Sequence, residues 1–70
     1  MRLSYYEETD SLYIDLSSAA SSDSKEIADG LVVDFDDAGH IVGIDIQHAS
    51  ERIDFSSIES KHLPFTNKIA

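Results

Sequence analysis

Leu31-Val32-Val33-Asp34-Phe35-Asp36-Asp37-Ala38-Gly39-His40-Ile41-Val42-Gly43-Ile44-Asp45-Ile46 is the stretch that decides the fold. Leu31, Val33 and Phe35 alternate with Val32, Asp34 and Asp36. Beyond the loop, Val42, Ile44 and Ile46 alternate with Ile41, Gly43 and Asp45. A repeat of two is that of a strand, whose successive side chains point to opposite faces. With Asp36 set against Ile41, Phe35 meets Val42, Val33 meets Ile44 and Leu31 meets Ile46, so turn and apolar face agree; a one-residue slip breaks every match. Gly39 supplies the positive φ that such a turn needs.

The same period extends outward. Leu3 and Tyr5 share a face, as do Leu12, Ile14 and Leu16 beyond the polar Glu7-Glu8-Thr9-Asp10 turn. Two registers fit this first hairpin. One pairs Leu3 with Ile14 and Tyr5 with Leu12, placing Arg2 opposite Asp15; a slide of two residues sets Tyr6 against Tyr13 instead. The small polar tract from Ser17 to Ser24 reads as a connection, and Lys25-Glu26-Ile27 opens a third strand in which Asp29-Gly30 makes a turn or a bulge. Beyond Ala49 the alternation stops. Ser50, and the capping-box spacing Ser56-x-x-Glu59, predict short helical turns over residues 50–61 that carry Ile53, Phe55 and Ile58 to the sheet, and Pro64 ends them. The expectation is one α+β domain over residues 1–70. It is a four-stranded antiparallel β-meander of two hairpins (strands at about 2–7, 12–17, 26–36 and 41–48), a short helical segment, and a loosely held tail at 62–70, of which Leu63 and Phe65 could dock.

Seventy residues with five Lys plus Arg against fourteen Asp plus Glu carry a net charge of −9 and no Cys. So small a chain builds a thin core, which favours a homodimer. Nucleic-acid binding rests on Lys and Arg neutralising phosphates, so this balance argues against direct DNA or RNA contact and toward a basic protein partner. The absence of Cys removes a disulfide framework, a thiolate zinc site and a cysteine nucleophile. The longest apolar run, Leu31-Val32-Val33, is far short of a membrane span, and Met1-Arg2-Leu3-Ser4-Tyr5 has no signal-peptide pattern, so the expected compartment is the cytoplasm, without membrane contact.

Asp34, Asp36 and Asp45 share one sheet face by parity, and with Asp10 they are the residues from which a divalent-metal site would be built. Yet carboxylates two apart on a strand stand roughly 7 Å from each other, where like charges in water repel by only about 0.6 kcal/mol, so no ion is needed to tolerate them. A solvated acidic face is the favoured reading, with no cofactor. Val32 and Ile41 fall on that same face by parity, and Tyr6 and Tyr13 share the outer face of the first hairpin; these four are the interface candidates. His48 shares parity with Ile44 and Ile46 and should lie at the rim of the core. His40 and His62 show no metal-ligand spacing with it. No serine lies in a nucleophile-elbow motif, and the chain holds no glycine-rich phosphate loop, so no catalytic residue is assigned.

The pattern Tyr5-x-x-x-x-Asp10-x-Leu12-Tyr13-Ile14, then Gly30-Leu31-Val32-Val33-Asp34-Phe35-Asp36-x-x-Gly39-x-Ile41-Val42-Gly43-Ile44-Asp45-Ile46 and Ala49-Ser50, resembles the small prokaryotic family catalogued as domain of unknown function 2283. The resemblance spans most of residues 2–53. It implies an antiparallel sheet with a short helical C-terminal part and no established activity. Tyr6 stands where that family often has Asp, and Asp45 where Glu is more usual. Its members are often encoded beside a small protein that looks like a toxin nuclease, so the resemblance implies an antitoxin-like context. The thin core, the apolar residues on the second sheet face and the charge of −9 make a non-enzymatic interaction module the leading expectation. The alternative is an enzyme that binds a divalent metal or small ligand on the aspartate-rich face.

Overall fold

The computed structural model describes residues 1–64. Five strands form one antiparallel sheet: β1 (Arg2–Tyr6), β2 (Ser11–Asp15), β3 (Asp23–Ala28), β4 (Leu31–Phe35) and β5 (Ile41–Ile46), followed by a single helical turn, α1 (Ala49–Arg52). Their spatial order is β1-β2-β5-β4-β3. The chain makes its first hairpin, crosses to the far edge through residues 16–22, and returns by two further hairpins until β5 closes against β2. This nests β5 in the middle as a Greek key does, so the sheet is not a meander.

It also has five strands where four are expected. Asp29-Gly30 is a true hairpin turn, with Gly30 at φ 77°, and it divides residues 26–36 into β3 and β4. Ser24, expected in the connection, already belongs to β3. The first hairpin takes the register that sets Arg2 against Asp15, Leu3 against Ile14 and Tyr5 against Leu12.

In the central hairpin Leu31 pairs with Ile46 and Val33 with Ile44 as expected, but Phe35 pairs with Ile41 rather than Val42. The loop is one residue shorter than expected: Gly39 N–H donates to Asp36 O and Asp36 N–H donates to His40 O. Asp36 thus faces His40. A bulge at Val42 absorbs the difference, restoring the register between Asp34 and Gly43. Its consequence is that Ile41 shares the side of Phe35 and not, as parity implies, that of Asp34 and Asp45.

The helical segment is also shorter than residues 50–61. Ile53 is already extended, and the Ser56-x-x-Glu59 box starts no helix, because Ser56 N–H and hydroxyl both turn back to the Asp54 carboxylate. His48, in the left-handed region at φ 54°, occupies the N-cap position and is exposed rather than at the core rim. The docking of Phe65 lies outside the described residues, and Leu63 is exposed.

Burial is sparse. Among the described residues Val33, Val42 and Ala49 are the buried apolar ones, and no large side chain is fully enclosed. The cause is a single layer. Among the described residues the apolar face, with Leu3, Tyr5, Leu12, Ile14 and Ile46, is covered by the strap that follows α1, in which the Phe55 ring tilts against Tyr5 at 5.2 Å between centroids. Leu3 (49% exposed) and Ile58 (72%) remain open along this groove.

Candidate functional site

On the opposite face the side chains form a polar brace across four strands. Tyr13 on β2 leans over β5 and its hydroxyl donates to Asp34 Oδ2 on β4 at 2.7 Å; from β3, Ser24 Oγ donates to Asp34 Oδ1 at 2.6 Å. Gly43 makes this crossing feasible. A Cβ built there would overlap the Tyr13 hydroxyl, so only a residue without a side chain lets the ring lie flat on the sheet. Donation to Asp34 holds the phenol proton, and partial burial adds to that, pushing the Tyr13 pKa up to about 12.

At the end of the sheet where the β1–β2 and β3–β4 turns meet α1, Asp10 is the joint. Its backbone adopts the left-handed region at φ 51°, and its carbonyl accepts Ala49 N–H at 2.9 Å. Its carboxylate accepts Ser50 N–H, Ser50 Oγ–H and the Tyr5 hydroxyl. The bonds from Ser50, then that from Tyr5, hold this carboxyl below the usual carboxylate range, while Asp10 raises the Tyr5 phenol. Arg52 ties α1 to the other turn by donating to Asp29 O at 2.8 Å. One helical turn thereby fastens both hairpins.

The four aspartates named as metal candidates are parted by these tasks. Asp10 holds α1 and Asp34 anchors the brace. Asp36 folds its own loop, accepting Ala38 N–H and His40 N–H; the His40 bond is the larger cause that keeps its carboxyl below the ordinary range. Asp45 sits between Tyr13 and Val32 on neighbouring strands. Among the described residues no group of three or more His, Asp or Glu is placed to hold a metal ion.

The interface candidates are separated too. Tyr13 is engaged in the brace, Val32 is half-buried between Glu26 and Asp45, Ile41 has moved to the apolar side and is 50% exposed, and Tyr6 is 56% exposed. Tyr6 and Tyr13 do share a site. With Thr9, Ser11, Asp45, Gln47 and His48 they line an open concavity of about 660 Å³ on the polar face. Sequence reading missed Ser24 as a brace member and the Thr9, Ser11 and Gln47 lining. The available signal was Gly43, an isolated glycine inside a β-branched strand, which marks close approach by a neighbour.

These features define a small α+β domain built on a single antiparallel sheet, braced on its polar face and open on its apolar one. The chain belongs to the family described as Protein of unknown function (DUF2283), which matches residues 2–50. The match takes in all five strands and the first two residues of α1. No curated protein and no solved structure is significantly similar to the chain. Among the described residues no helix is long and apolar enough to cross a membrane.

Proposed function

We propose that this domain is a non-enzymatic protein-interaction module of the cytoplasm that pairs with a second copy through its apolar groove and offers its acidic face to a basic partner, in the manner of an antitoxin. One observation carries the reading: a single-layer sheet leaves two chemically opposite faces open. The groove between Leu3, Leu12 and the strap residues Phe55 and Ile58 supplies the apolar part. On the other face, Asp15, Asp34, Asp45 and Glu26 lie on the brace side by register, with Arg2 the basic residue among them.

Sedimentation equilibrium combined with titration of a basic polypeptide tests this. The expected result is a dimer that Leu3→Asp or Ile58→Asp converts to a folded monomer. Association with the polypeptide should weaken steeply between low and physiological salt. A monomer at all concentrations that ignores basic polypeptides overturns the reading.

A further inference from the structure

From the concavity on the polar face we infer that Tyr6, Tyr13 and Asp45 form a receptor for an arginine side chain of the basic partner; this rests on the interaction-module reading and names where it acts. Tyr13 pairs with Asp45, and Tyr6 pairs with Ser11, the residue two before Tyr13 on β2. The two tyrosines are therefore diagonal neighbours roughly 7–8 Å apart, with Cβ atoms somewhat closer. The brace pulls the Tyr13 ring away from Tyr6, over Gly43 toward Asp34, which opens the space between them. Asp45 from β5 and Gln47 just beyond its end close the third side, with Thr9 and His48 at the rim.

Each wall suits a planar cation. Tyr13 is fixed before any ligand arrives, since its hydroxyl is bonded and its ring is seated on glycine, so one aromatic wall needs no ordering on binding. Tyr6 is free to stack over the opposite side. Asp45 has no Lys or Arg within ion-pair distance among the described residues, whose ion pairs are His40 with Asp36, His48 with Glu51 and Lys61 with Glu59. The side-chain hydrogen bonds among those residues do not engage its carboxylate either. A half-buried carboxylate beside Tyr13, in a concavity that Tyr6 also lines, on a chain of charge −9 selects a cation. The guanidinium group fits better than an ammonium, because it is flat, weakly hydrated and able to give two parallel hydrogen bonds to one carboxylate. The concavity has the volume of a small-molecule pocket but is open to solvent, which suits a side chain presented by another protein.

The test is a two-dimensional NMR titration of the full chain at low salt with two pentapeptides of equal charge, Gly-Arg-Gly-Arg-Gly and Gly-Lys-Gly-Lys-Gly. The arginine peptide should shift Tyr6, Tyr13, Asp45 and Gln47 saturably, and bind at least about threefold tighter than the lysine peptide. Asp45→Asn and Tyr6→Ala should each weaken it by about fivefold or more, with dispersed spectra reporting intact folding, while Glu8→Gln changes nothing. Shifts spread evenly over Glu7, Glu8, Asp15 and Glu26, with Asp45→Asn without effect, would overturn the site and leave the basic-partner reading standing. Equal affinity for the two peptides would overturn the assignment to arginine. No shift with either peptide would overturn both.

Discussion

On the apolar face Leu3, Tyr5 and Ile58 stand substantially exposed around the strap, whereas on the opposite face Tyr13, Asp34 and Ser24 are joined into a brace that spans four strands. The side that alternation marks as interior is the less finished, and the side it marks as solvated is the more organised. In a three-layer protein the apolar face would carry the stability and the polar one would be tolerant. Here, among the described residues, one thin layer leaves its apolar side partly uncovered, so geometry on the polar side sets the sheet's shape, while apolar residues remain available for association.

Substitution at the centre of the brace should separate the faces most sharply. Gly43→Val drives a branched side chain into the Tyr13 ring and should destabilise the fold by about 3 kcal/mol in urea unfolding. Ile58→Ser on the other face should leave the stability of the monomer within roughly 0.5 kcal/mol. Similar losses from the two changes would show that the faces contribute alike.

Tyr13→Phe removes only the hydroxyl and should cost about 1 kcal/mol, a single hydrogen bond at a half-exposed site. It should also remove an alkaline transition. Tyr13 keeps its proton in the folded chain to about pH 12, whereas an unfolded tyrosine loses it near pH 10. The stabilisation it gives is thus complete below about pH 10 and is lost as the pH climbs to 12, a window that the Phe variant should lack in fluorescence-monitored melts.

A smaller effect is expected at Asp10 and Asp36, whose carboxyls titrate below their unfolded values. Their contribution is present above about pH 4 and is lost as the pH falls through their lower folded values. Asp10→Asn, which tolerates the left-handed backbone, should flatten that acid limb in a series of thermal melts from pH 5 to 2. Smallest of all, millimolar Mg, Ca or Mn should move the melting temperature by less than about 1 °C, because the aspartates are dispersed. A saturable rise abolished by Asp34→Asn would revive the metal-enzyme alternative.

Much of the sheet is legible in the residues because alternation and pairing are local. Val33 with Ile44 and Leu31 with Ile46 follow from parity and loop length, whereas parity leaves two registers open for the first hairpin and the structure takes the one that sets Arg2 against Asp15. The misplacements occur where one residue changes the count. The bulge at Val42, which exchanges the expected Phe35–Val42 pair for Phe35–Ile41, and the two-residue turn at Asp29-Gly30 leave the alternation on either side intact, so the hydrophobic pattern is blind to them. Strand order was out of reach for a related reason: β2 pairs with β5 through contacts some thirty residues apart, which no local period records. The site was legible only as ingredients. Tyr6, Tyr13 and Asp45 stand out as residue types, but their meeting depends on the β2–β5 pairing and on Gly43 as the seat of a distant ring.

The outermost strand β3 is exposed along its whole length, carries Lys25 and Glu26, and breaks register around Ile27. Such a rim repels an incoming backbone, since charge and irregular spacing spoil the ladder a second chain would extend. Lateral growth into ribbons requires two receptive rims, and this chain offers at most the one at β1. Any strand-to-strand joining therefore terminates after two molecules, and a protein with so much uncovered hydrocarbon is guarded against fibre formation by its least ordered-looking edge.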